Sequence, residues 1–254
     1  MRLREIAMVA ADTSRSKAYL QAMIRNDLLP NHVLVLRSSA GRSLPGQLSG
    51  VGSLRPSVPV ADADECWSEA SFDLTEPLTA TLEKAAIPTE VIACDDINRP
   101  DVVEIVQQRP EAVMVYSGYG GVLLRREILS TGKRFLHVHG GYLPDYKGST
   151  TNYYSLIVEN ALGASSLFLS AEIDSGPVLQ RRKFPPPADR LAIDHIYDSA
   201  ARAKVLIDTL QSYVANGEWR FEVPENIGGE TYYIVHPVLK HIAVLAGDHP
   251  DRCE

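Results

Sequence analysis

Cysteine is scarce. The 254 residues hold only Cys66, Cys94 and Cys253, an odd number at wide spacing, which rules out a disulfide framework and any metal-ligand pattern built on thiolates. A reducing, cytoplasmic setting is the expectation. Positive charge is outnumbered, with 25 Lys and Arg against 32 Asp and Glu and a net charge of −7. That balance argues against a general nucleic-acid surface, which needs a basic patch. The run Arg181-Arg182-Lys183 reads as a solvated strand edge. Long apolar runs are missing as well, so no transmembrane segment and no membrane partner is expected. The apolar start, residues 6–11, is too short for a signal core and meets Asp12 at once. Glycine is absent from Ala10-Ala11-Asp12-Thr13-Ser14, so neither a dinucleotide fingerprint nor a P-loop follows the first strand.

What is present is a chain 45% hydrophobic, enough to bury one large core or two small ones. Apolar strands alternate with amphipathic helices. Residues 5–11 read as a buried strand, a helix capped by Thr13 or Ser14 runs to about residue 26, and residues 32–36 form the next strand. Residues 37–63, rich in Ser, Gly, Pro and Arg without a period, form an irregular insertion, either a flap or a disordered segment. A helix is predicted over 68–87, a strand over 90–93, and a helix from Pro100 with Val102, Val103 and Val106 inward and Asp95 or Asp96 as its cap. The strand at 112–116 ends in Ser117-Gly118-Tyr119-Gly120-Gly121, where glycines let backbone approach a ligand closely. Beyond residue 150 the pattern predicts a helix at 151–161, strands at 166–170 and 178–184, a long helix at 193–216 closed by Gly217, and an irregular tail. The order defines an α/β protein with a Rossmann-like, mostly parallel twisted sheet and helices on both faces. Its expected division is a catalytic domain at 1–190 and a C-terminal helix and tail, 191–254, packed on the same domain.

The chemistry concentrates in residues 134–148. His137 and His139 stand two apart on a strand, so both imidazoles lie on one strand face. Gly140-Gly141 breaks the strand, and a polar turn follows Leu143-Pro144. Downstream, Asp174 ends a second apolar run ahead of Ser175-Gly176-Pro177. Two histidines and an aspartate at strand-to-loop junctions admit three readings: hydrogen-bonded core histidines, a zinc or iron site with an open position, or acid–base catalysis in which one imidazole moves a proton and the aspartate orients it. Spacing alone does not choose between the last two.

The run from His137 to Gly148, followed by Asp174-Ser175-Gly176-Pro177-Val178, resembles the folate-dependent formyltransferases. That family has an Asn-x-His motif, a Leu-Pro-x-aromatic-basic-Gly turn and a later Asp-x-Gly. The likeness covers roughly residues 90–185. It implies 10-formyltetrahydrofolate as cofactor, with a neutral amine attacking the formyl carbon. His139 matches the family's catalytic His and Asp174 its Asp, while the Asn position holds His137. A histidine there donates a hydrogen bond too, but it is larger and titrates near neutrality. Leu167 also stands where the family's strand has a His. By resemblance, Ser117, Gly118, Tyr119, Gly120, Gly121, Val122, Leu123 and Ile173 contact the folate, and Tyr142, Tyr146, Thr150 and Asn152 line the amine's entry. The chain lacks the separate basic β-barrel of initiator-tRNA formyltransferases, so the expected acceptor is a small amine: an amino sugar, an amino acid derivative or a hydroxylamine. A divalent metal held by His137, His139 and Asp174 is the alternative, and so is a non-catalytic binder. A homodimer is the commonest assembly to expect.

Overall fold

The computed structural model describes residues 1–38, 65–68 and 70–246. The insertion expected at 37–63 therefore lies, past Ser38, outside the described residues, as does Cys253. The described chain divides into two compact units, the first made of residues 1–38 and 72–137, the second of residues 65–68, 70–71 and 138–246.

The first unit is built on parallel strands: β1 (Ile6–Ala11), β2 (Val33–Leu36), β3 (Thr89–Ile92), β4 (Val113–Ser117) and β5 (Arg134–His139). Their order is β3-β2-β1-β4-β5, every pairing parallel. β1, β2 and β4 are buried at every residue. A parallel strand covered on both faces must be apolar throughout, which is why these segments read as unbroken apolar runs. α1 (Ser14–Arg25) joins β1 to β2, with the Thr13 hydroxyl accepting from the Ser16 N–H at 3.2 Å. α2 (Leu78–Lys84) leads to β3, and α3 (Pro100–Gln108) returns the chain to β4 on the far side of β1. Right-handed crossovers running in opposite directions put α1 and α2 on one face and α3 on the other. The reversal between β1 and β4 opens a crevice at the strands' C-terminal ends.

Two local expectations fail here. The helix predicted over 68–87 forms only at 78–84, because the Asp73 carboxylate accepts from the N–H groups of Thr75 (2.8 Å) and Glu76 (3.3 Å) and turns the chain ahead of Pro77. Asp95 and Asp96 do not cap α3, which starts at Arg99-Pro100 without a side-chain cap. Asp96 instead accepts from the Asn98 N–H at 2.9 Å and its amide at 2.7 Å.

β5 passes at residue 138 into the second unit, which holds β6 (Tyr146–Gly148), α4 (Thr151–Glu159), β7 (Leu162–Phe168), β8 (Val178–Phe184), α5 (Asp198–Asn216), β9 (Glu230–Tyr232) and α6 (Pro237–Leu245). β7 and β8 pair antiparallel. β7 begins four residues earlier than its apolar core suggests, because its buried serines are satisfied from outside the strand. Ser165 Oγ donates to the Gly141 carbonyl and accepts from the Leu143 N–H, at 2.7 and 2.9 Å, and Ser166 Oγ lies 2.7 Å from Thr209 Oγ1. The tail is less irregular than expected: β9 pairs in parallel with β6, residues 230–232 opposite 146–148. Among the described residues no helix is long and apolar enough to cross a membrane.

Candidate functional site

His139 ends β5 with its side chain buried in the second unit, 5% exposed. Its Nε2–H donates to the Tyr146 carbonyl at 2.8 Å. A carbonyl only accepts, so that nitrogen carries the proton and Nδ1 is the basic one. Nδ1 faces Asp174 Oδ2 at 3.4 Å, longer than the roughly 2.7–2.9 Å of a charge-assisted bond. Asp174 is itself 8% exposed, and its Oδ2 accepts the Gly148 N–H at 2.9 Å. Burial holds the His139 imidazole below its ordinary range, and the Arg202 guanidinium pushes the same way, against the pull of Asp174, the Tyr146 carbonyl and Asp198. The result is a neutral imidazole with its lone pair turned toward a carboxylate. One proton placed between the two groups converts that gap into a strong hydrogen bond.

The surrounding chain explains why the pair sits there. Gly141 has no room for a side chain: a Cβ would lie 2.5 Å from the Tyr146 carbonyl oxygen and 2.6 Å from His139 Nε2. Arg202 Nη1 donates to the Val138 carbonyl at 3.0 Å and its Nε meets Asp198 at 2.9 Å, fixing the strand end from α5. Asp174 adopts a left-handed backbone, φ 49°, rare for a residue with a Cβ.

The residues expected along the amine's entry have definite places in this unit. Asn152 is buried, its amide donating to Asp198 at 2.9 Å and accepting from the Gly163 N–H at 2.9 Å. Tyr146 is buried, donates to Glu159 at 3.0 Å and stacks on Tyr232 at 5.4 Å; burial, with Glu159, drives its hydroxyl above the usual range. Thr150 has φ 53° and accepts the Val235 N–H on its hydroxyl at 2.8 Å. Tyr142 lies half-buried under Arg181, 4.6 Å from its ring, and Lys183, 5.0 Å. Ile173, beside Asp174, is 51% exposed.

His137 belongs to the first unit, with Nδ1 3.4 Å from the Tyr116 carbonyl and its ring tilted against the Tyr116 ring. Tyr116 was not singled out by sequence, since a tyrosine in an apolar strand gives no functional signal; burial drives its hydroxyl up to about 12. The expected folate loop follows β4. Ser117 is buried and bound by Ser16 and Arg15 at 2.8 and 3.2 Å, and Gly118 carries its carbonyl 2.6 Å from Arg15. The Tyr119 hydroxyl bridges to the ends of β2, accepting from the Ser38 N–H and donating to the Leu36 carbonyl. Gly120 and Gly121 are exposed with open space where a Cβ would go, Val122 accepts from Tyr116, and Leu123 is 62% exposed. Asn98 clamps the loop's far end, donating to the Leu123 carbonyl at 2.9 Å and accepting from the Arg125 N–H at 2.7 Å. Among the described residues no three His, Cys, Asp or Glu side chains gather so as to hold a metal ion.

The architecture is thus a Rossmann-like α/β scaffold with a buried His–Asp pair at a strand-to-loop junction. Comparison with known proteins shows what it is similar to. The chain is 29% identical over 114 residues to the methionyl-tRNA formyltransferase of Roseiflexus sp. (strain RS-1), 44% of this chain and 35% of that protein. It is 27% identical over 103 residues to the mitochondrial formyltetrahydrofolate deformylase 1 of Arabidopsis thaliana, 39% of this chain and 31% of that protein. The matches thus span about a third of the length of these curated relatives. A sugar N-formyltransferase structure from Shewanella sp FDAARGOS_354 shares the fold over 96% of this chain and 88% of its own, with a TM-score of 0.57 at 13% identity. No family model matches. The chain is thus similar in sequence to formyl-folate enzymes over part of its length and in fold to a solved formyltransferase.

Proposed function

We propose that this chain transfers a formyl group from 10-formyltetrahydrofolate to the amine of a small metabolite, with His139 and Asp174 as a pair that accepts one proton. The observation that carries the reading is the pair itself: a buried carboxylate facing the basic nitrogen of a buried imidazole at 3.4 Å. A group transfer to an amine needs such a sink, since the attacking nitrogen must shed a proton.

The residues present suit the folate. Gly120 and Gly121 expose open backbone next to the exposed, apolar Leu123, a surface matched to a flat ring with polar edges, and Asn98 keeps the loop in shape. When bound, the folate supplies a formyl carbon open to attack. Residues 117–123, with Ile173, are the proposed holders. With the folate bound, the pair would take the amine proton as the new C–N bond forms and would give it to the departing nitrogen as the old C–N bond breaks, so no net proton would be consumed. His137 is the proposed donor to the negative charge that develops on the formyl oxygen. Its Nδ1 faces a carbonyl, so the neutral ring carries its proton there and Nε2 donates only in the imidazolium. Tyr142, Tyr146, Thr150 and Asn152 are proposed to shape the amine's entry, Asn152 and Tyr146 from buried positions behind the surface. The net charge of −7 favours a small acceptor over a polyanion.

The test is turnover of 10-formyltetrahydrofolate with an acceptor panel of amino sugar nucleotides, amino acids, hydroxylamine and aminoacylated initiator tRNA, with products identified by mass spectrometry. A formylated small amine, formed equally well after dialysis against EDTA, is expected. Formylation of the tRNA alone overturns the acceptor class, and loss of turnover on chelation restores the metal reading. Failure to bind a stable folate analogue overturns the proposal as a whole.

A further inference from the structure

We propose that Asn226, in the tail, is a positioning residue that holds Asp174 for its work with His139, and that residues 226–235 belong to the site. The proposal rests on the proton-accepting reading of that pair. Asn226 is 5% exposed and has no counterpart among the residues that motif spacing picks out. Its amide Nδ2 donates to the Asp174 carbonyl at 2.6 Å and to the Gly176 carbonyl at 3.0 Å, so both hydrogens go to one loop. Its backbone carbonyl accepts from the buried ammonium of Lys147 at 3.0 Å. Lys147 precedes Gly148, whose N–H holds the Asp174 carboxylate at 2.9 Å. Asn226 therefore ties the backbone of Asp174 and the strand that grips its side chain to one point.

The backbone of Asp174 needs such a tie. Its left-handed φ of 49° is sparsely populated for a residue with a Cβ and persists where the surroundings over-determine it. Three hydrogen bonds do so here: one on the carboxylate, one on the carbonyl and one two residues further on. The amide's orientation follows from these partners, since turning it over would aim its oxygen at two carbonyl oxygens. Asn226 Oδ1 is left buried with no protein donor among the described residues. What singles Asn226 out is the pair of donors it places on the Asp174 loop.

The rest of the tail keeps Asn226 in place along the whole turn after His139. Glu230 N–H binds the Asp145 carbonyl at 3.3 Å, Ser149 N–H the Tyr232 carbonyl at 2.8 Å, and Val235 N–H the Thr150 hydroxyl at 2.8 Å. Gly229, at φ 75°, lies so close to the Pro144 carbonyl that no side chain fits.

The test uses the full-length chain with Asn226→Ala, Asn226→Ser, which keeps one donor, and the isosteric Asn226→Asp. Histidine-labelled protein is titrated by NMR, the His139 signal assigned by its loss in His139→Gln and the His32 signal serving as an internal reference. The expected result is a displaced His139 midpoint in Asn226→Ala and Asn226→Asp, a smaller displacement in Asn226→Ser, and an unmoved His32. Where an acceptor supports turnover, kcat falls 10- to 100-fold with KM for the folate within twofold. A lower melting temperature with an unmoved His139 midpoint and unchanged kcat makes Asn226 a stability residue and overturns the proposal. If Asn226→Ala fails to fold, the Asn226→Ser midpoint decides. The NMR outcome stands even if the wild-type protein turns over no acceptor, so failure of the formyl-transfer reading and failure of the positioning role are distinguishable.

Discussion

Replacing Asp174 by Asn removes one charge and keeps the shape of the side chain. The amide oxygen can still accept the Gly148 N–H that Oδ2 now accepts at 2.9 Å, so the loop keeps that contact. Its backbone carbonyl is untouched and still receives Asn226 at 2.6 Å. Fold stability should therefore change little, by about 1 kcal/mol or less, whereas Asp174→Ala orphans a buried N–H and should cost about 1–3 kcal/mol. The chemistry should respond far more. A positioned proton acceptor contributes about 10²–10⁴ in rate, or roughly 3–5 kcal/mol at about 1.36 kcal/mol per decade. His139 also loses the carboxylate that draws its titration upward against burial. The variant should then show kcat down by about 10²–10⁴ with folate affinity unchanged. Its His139 midpoint should fall further below that of the wild type. The assays are steady-state kinetics with the best acceptor, calorimetric binding of a folate analogue, and NMR titration. A kcat within threefold of wild type would refute the role given to the pair.

Three further outcomes follow from the same geometry. Burial holds His139 below the ordinary histidine range, so the folded chain binds fewer protons than the unfolded one below about pH 6.5. The stability that its neutral form contributes is present above that pH and is lost as pH falls through it. Urea unfolding at pH 7.5 and 5.5 should show a smaller acid loss in His139→Gln than in wild type, and an equal loss counts against a depressed imidazole. His137→Asn supplies a donor that does not titrate, so the alkaline fall in rate expected of wild type should flatten; a wild-type profile already level from weakly acidic to weakly basic pH removes the imidazolium requirement. Gly141→Ala drives a Cβ to 2.5 Å from the Tyr146 carbonyl oxygen and 2.6 Å from His139 Nε2, and should destabilise by about 1–3 kcal/mol while disturbing the His139 signal. An unshifted signal in that variant would mean the turn yields without moving the imidazole.

Burial of the pair also bears on how it works. Inside the second unit Nε2 is committed to the Tyr146 carbonyl, so Nδ1 is the ring nitrogen that faces the carboxylate.

The sequence by itself determined the parallel α/β scaffold, because strands buried on both faces must be apolar throughout, and β1, β2 and β4 announce themselves as such runs. It also named His139 and Asp174 from their strand-to-loop junctions, and the two stand 3.4 Å apart in the structure. Tertiary structure decided the rest. Ser165 lies just ahead of the strand expected at 166–170 until Gly141 and Leu143 satisfy it inside β7. Asp73 and Thr75 fall inside the predicted helix, where a local carboxylate-to-backbone turn breaks it ahead of Pro77. β9 is three residues long and becomes a strand only because β6, more than eighty positions earlier in the chain, offers its edge. The same holds for Asn226, an ordinary loop residue by composition, whose importance comes from two carbonyls some fifty residues away that a folded chain alone brings within reach of one amide.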